Sequence, residues 1–128
     1  MYTNNNIYHF LLDLKLGLPV AIKCDFGNYI LLTCSESVTD ETLKLMKKIS
    51  ASKTSIIINK RRMNYLSKKD VVGELFSISF NKEMDSQLSQ DISGSILTNK
   101  KSLLENASIS FEKRPEIINL IQLMKENQ

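Results

Sequence analysis

The apolar positions of this chain repeat at helical spacing first. Ile7, Phe10, Leu11 and Leu14 fall on one face, and Asn4, Asn5 and Asn6 before them offer capping side chains, so the spacing predicts an opening helix. Gly17 is a natural stop and Pro19 forbids continuation. Residues 20–24 then read as a strand, Asp25 to Asn28 as a turn, and residues 29–34 as a second strand. Four residues are too few for a crossover helix, so the pair is predicted to be a hairpin. Thr39 is placed to cap a second helix, with Asp40 and Glu41 at its positive end and Lys47 and Lys48 at its negative end. Leu43, Met46 and Ile49 are its expected buried stripe. Residues 54–59 hold Ile56, Ile57 and Ile58 in a row, a β-branched run that fits a strand covered on both faces.

Further along, residues 61–66 read as a short helix with Met63 and Leu66 inward. Residues 74–80 alternate, with Phe76, Ile78 and Phe80 on one side and Leu75, Ser77 and Ser79 on the other. Residues 81–90 are polar and read as a loop. A helix is expected over 98–105, carrying Leu103 and Leu104, and a short strand over 108–111. Pro115 opens a last helix that buries Ile117, Leu120, Ile121 and Met124. Strands and helices in this order, with a hairpin, predict an α+β fold, a mixed α/β sandwich.

Composition narrows the class. The chain of 128 residues fits one domain, and 42% hydrophobic with 24% charged residues is an ordinary globular balance. No apolar stretch approaches the roughly 20 residues that span a bilayer, and Met1 to Asn6 lack the pattern of a signal peptide, so a soluble cytoplasmic protein is expected, with no membrane partner. Cys24 and Cys34 are too few for a disulfide framework; buried free thiols are expected. The formal charge of +3 is a mild basic excess. Lys47, Lys48, Lys53, Lys60, Arg61, Arg62, Lys68 and Lys69 crowd one third of the chain, but only Tyr65 is interleaved with them, and Asp70 and Glu74 dilute the field. A solvated face is the better reading than a nucleic-acid site.

Catalytic patterns are scarce. His9 is the single histidine and sits in the opening helix. Neither a metal-binding His or Cys spacing, nor a glycine-rich phosphate loop, nor a serine-nucleophile elbow occurs. The acidic residues Glu36, Asp40, Glu41, Glu83 and Asp85 form no evident pair. No catalytic, cofactor-binding or metal-ligating residue is therefore assigned.

One resemblance covers nearly the whole chain. Residues 10–25 read F-L-L-D-L-K-L-G-L-P-V-A-I-K-C-D. This run is similar to the A-L-x-x-L-R-x-G-x-P-V-x-V-x-D motif that opens 3,4-dihydroxy-2-butanone 4-phosphate synthase, the family that makes the four-carbon precursor of riboflavin. The family's A-A-E and T-P-E are matched by Cys34, Ser35 and Glu36 and by Thr39, Asp40 and Glu41. Its G-L-I-C-V strand and short helix resemble residues 55–59 and 61–66, and its G-I-S-A-x-D-R-A is echoed by Asp91, Ile92, Ser93 and Gly94.

The departures fall on the family's chemistry. Phe26, Gly27 and Asn28 stand in place of an acidic loop that supplies carboxylates to magnesium and substrate, leaving Asp25 alone. Ile96 and Leu97 stand at the D-R of the phosphate-contacting segment. Lys113, Arg114, Pro115 and Glu116 replace G-H-T-E, so only the glutamate remains, and arginine cannot act as a neutral base. The resemblance thus implies a degenerate, non-catalytic synthase-like domain, as in the N-terminal part of alphaproteobacterial GTP cyclohydrolase II proteins. It further implies a homodimer and a structural or regulatory role beside a cyclohydrolase domain in cis or in trans. Whether the chain is a whole gene product or a fragment stays open. Two other readings compete: an active synthase of divergent sequence, which requires turnover and magnesium binding, and a basic nucleic-acid-binding module, which requires salt-dependent oligonucleotide binding.

Overall fold

Gly17 ends α1 (Asn4–Lys15) for a steric reason. Its φ is +78°, and a Cβ built on it would lie 2.5 Å from the Ser37 carbonyl oxygen. Only glycine allows this left-handed turn and this close approach. In the computed structural model, which describes residues 4–25, 27–50, 52–94 and 103–126 (with side chains from residue 8 onward), the chain then turns into the expected hairpin. Strands β1 (Val20–Lys23) and β2 (Tyr29–Leu32) pair antiparallel, Val20 opposite Leu32 and Ile22 opposite Ile30. The Cys24 N–H donates to the Asn28 carbonyl at 2.7 Å and closes the turn.

Helix α2 (Asp40–Ile49) starts as its sequence predicts, with the Thr39 hydroxyl accepting from the Thr42 N–H. Its buried stripe differs from expectation. Leu43 is buried and Met46 half-buried, but Ile49 is 65% exposed, together with Leu45 at 48%. Strand β3 (Ile56–Asn59) runs directly into α3 (Lys60–Ser67), because Asn59 ends the strand and caps the helix, accepting from the Arg62 N–H at 2.9 Å. Strand β4 (Leu75–Phe80) is the centre of a three-stranded antiparallel sheet, flanked by β3 and β5 (Ala107–Phe111). Pro115 opens α5 (Pro115–Glu126), as expected.

Residues 81–90 are not all loop: α4 (Ser86–Ser93) occupies part of them. Only Leu88 and Ile92 anchor it to the core, one turn apart. Partners elsewhere hold both ends. The Asp85 carboxylate accepts from the Leu88 N–H, and the Asp40 carboxylate accepts from the Ser86 N–H. At the other end Arg62 donates to the carbonyls of Asp91 and Ile92, each at 2.7 Å. The helix expected over 98–105 falls mostly outside the described residues; its described part, Leu103 to Glu105, is a turn.

The alternation of β3 and β4 divides the core in two. Ile56, Ile58, Phe76, Ile78 and Phe80 face α3 and α4, where Met63, Leu88 and Ile92 complete a dry cluster. Ile57 points the other way and joins Phe10, Leu14, Ile22 and Ile117, with Leu120, Ile121 and Met124 packed around them. The expectation of a strand covered on both faces holds at β3. The fold is α+β, and among the described residues no helix is long and apolar enough to cross a membrane. On the outermost strand, Ile109 and Phe111 lie opposite Ile78 and Phe76 in register, yet they are 47% and 54% exposed.

Candidate functional site

The two segments that carry the resemblance's chemistry are some 90 residues apart in sequence, yet the fold brings them together. Cys24 and Asp25 lie at the β1–β2 turn; Arg114 and Glu116 lie at the start of α5. Burial pushes the Cys24 thiol above its ordinary value, and the nearby carboxylates of Glu116 and Asp25 push the same way, while Arg114 opposes them. A thiol held protonated next to a carboxylate is a poor nucleophile and a poor metal ligand.

Arg114 is not a free cation. Its Nε and terminal nitrogen donate to the two oxygens of Glu112 at 3.0 and 2.6 Å, and its own backbone N–H adds a third bond at 3.1 Å. Burial pulls the Glu112 carboxyl upward, but the bonds from Arg114 prevail and hold it below the usual glutamate value. The guanidinium is raised in turn, chiefly by its hydrogen bonds to Glu112. The site thus offers a neutral thiol, two carboxylates at its edge and a guanidinium already paired. Among the described residues, no group of three or more His, Cys, Asp or Glu side chains is arranged to hold a metal ion.

Arg114 lines two cavities. One is a shallow, open depression of about 430 Å³ over Ser77, Ser110, Phe111 and Glu112. The other is a deeper cleft of about 450 Å³ between the hairpin and the three-stranded sheet. His9 lines neither; it is exposed on α1, edge-on to Tyr8 with ring centroids 5.8 Å apart.

Other expected residues are placed apart from this site. The thiols of Cys24 and Cys34 are half-buried rather than buried, and they sit beyond opposite ends of the hairpin ladder, so they do not face each other. The basic run is partly committed to structure. Arg62 caps α4 and stacks over Tyr65 at 5.0 Å, and Lys47 pairs with Glu83. Asp40 serves α4 as well as α2. Ile96 and Leu97 lie outside the described residues. The sequence reading missed Glu112, although its spacing to Arg114 was a usable signal: residues two apart on extended backbone share a side.

No family model matches the chain, and no curated protein or solved structure matches it.

Proposed function

We propose that this chain is a non-catalytic, synthase-like domain that works by association, supporting a GTP cyclohydrolase II domain in riboflavin biosynthesis, and that it does so as a homodimer. One observation carries the reading. The turn at Cys24 and Asp25 and the segment at Arg114 and Glu116, which resemble the metal loop and the late base segment of 3,4-dihydroxy-2-butanone 4-phosphate synthase, adjoin each other. The adjacency fits the family's layout, while the side chains placed there lack its chemistry. Proton transfers in that reaction need a group near neutrality, and each contributes about 10²–10⁴ in rate. A paired guanidinium cannot serve. The engagement of Arg62 and Lys47 in intramolecular bonds further weakens the case for a nucleic-acid face.

The test is to incubate the purified chain with ribulose 5-phosphate and magnesium and to assay formate, alongside calorimetry with magnesium alone. No formate above the protein-free control and no heat of binding are expected. Formate release that disappears in Glu116→Gln would establish a working enzyme instead. Light scattering reads the dimer, and a strict monomer at high concentration counts against that part of the proposal.

A further inference from the structure

The cleft between the two sheets has an uncommon lining. Every residue from Tyr29 to Glu36 borders it on one side, and every described residue from Ser52 to Ile57 on the other. Successive side chains of a strand point to opposite faces, so a cavity lying against a face touches alternate residues. A cavity bordered by all four residues of β2 and by the neighbours Ile56 and Ile57 of β3, which point to opposite faces, lies against the edges of both strands. Here those are the edge of β2 not paired to β1 and the edge of β3 not paired to β4. Among the described residues, no backbone-to-backbone hydrogen bond outside the two ladders ends on Ile30 to Leu32 or on Ile56 to Ile58.

Above and below, the cleft is walled by apolar side chains. Ile117, Leu120, Ile121 and Met124 of α5 line it from the side to which Ile57 points. Leu43 and Met46 of α2, with Val38 and Met84, line it too. Met84 packs against the cluster that holds Ile56 and Ile58, and α2 is tied to that region by Asp40 on Ser86 and Lys47 on Glu83, so these residues form the opposite wall. Two strand edges at the sides, with helices over both faces, are the surroundings of an interior strand. Lys47 and Arg114 border the cleft but are already bound by Glu83 and Glu112, whereas Lys53, which also borders it, is exposed with no ion pair among the described residues.

We infer that this cleft receives one extended segment of a partner polypeptide, apolar on both faces and acidic at an end, which pairs with β2 and β3 at once and joins the two sheets into one. Main-chain bonds to the two edges supply affinity, the apolar walls select valine- and isoleucine-like side chains, and Lys53 selects the acidic end. The inference goes beyond the proposed function and stands on the cleft's geometry alone, whatever enzyme the partner belongs to.

The experiment uses a probe peptide of about seven residues, valine and isoleucine flanked by aspartates, a length typical of a strand. Its counterpart carries the same side chains on N-methylated backbone. Hydrogen exchange should slow by about tenfold or more at the amides of β2 and β3 with the first peptide and not with the second. Cys34, which borders the cleft, should lose reactivity toward a maleimide, while Cys24, outside it, should not. Equal protection by the methylated peptide would mean an apolar pocket without strand addition and would overturn the proposal. So would the absence of protection by either peptide at millimolar concentration, or equal loss of reactivity at both cysteines. Formate and magnesium assays are unaffected by any of these outcomes, so the two proposals fail separately.

Discussion

The two cores of this molecule are built differently. Between the three-stranded sheet and α3 and α4, eight buried residues interlock around Ile78 and Ile92, both at 0% exposure. Between the hairpin, α1 and α5, four buried residues carry the packing and the rest of the contact is half-open. Close packing resists deformation because each removed methylene leaves a void, whereas a half-open contact can adjust. The first core is where the fold is held. The second adjoins the strand-edge cleft and the Cys24–Arg114–Glu116 site, so the region proposed to receive a partner is the part with less to lose by moving.

The sharpest test of this contrast is a pair of truncations. Ile78→Ala should cost about 4 kcal/mol and Ile22→Ala about 2 kcal/mol, within the range for buried aliphatic truncation. Denaturant titration of both variants checks it, and equal losses would dissolve the distinction. Gly17→Ala probes the joint between α1 and the hairpin. A left-handed φ combined with a close approach to backbone should cost about 2–3 kcal/mol, with the hairpin amides exchanging faster than those of β4.

Next in size, Arg62→Met should remove about 2 kcal/mol, the scale of hydrogen bonds from a charged donor, and fray α4 at Asp91 and Ile92. Thermal melts give the loss, and amide exchange in α4 gives its location. The smallest effect is with pH. The folded-state pKa of Glu112 lies below its ordinary 4.5, so its contribution is complete above that pH and fades as pH falls through the lower folded value. Because Arg114 is about half exposed, solvent screening keeps the effect below about 1 kcal/mol. Acid titration of stability in Glu112→Gln should show a shallower decline below pH 4.5; an unchanged decline would assign the acid limb to Asp40 and Glu83, whose carboxyls are also lowered.

Where periodicity and punctuation coincide, the sequence was legible. Gly17 with Pro19, Thr39, the isoleucine run and Pro115 each mark an element that the structure contains. Helix α4 was illegible for a physical reason. Its sequence is S-Q-L-S-Q-D-I-S, with two apolar residues and three serines, and its ends are held by Asp40 and Arg62 from distant elements. Ile49 misled because spacing gives a face but not the length of the surface that covers it. At the candidate site, Arg114 and Glu116 could be singled out by resemblance, but their approach to Cys24 and the binding of Arg114 by Glu112 are products of tertiary folding.

Strand β5 sets a limit on how this protein can be handled. From Ala107 to Phe111 it carries neither charge nor proline, and its outer side is bordered by no strand among the described residues. Natural sheets blunt such borders with lysine, proline or a bulge. Here a second molecule can extend the ladder, and the serines and the half-exposed side chains of Ile109 and Phe111 offer nothing to repel it. Turbidity on concentration should therefore grow with protein concentration faster than linearly, and a single lysine at Ile109 should delay its onset, turning a templating border into a soluble one.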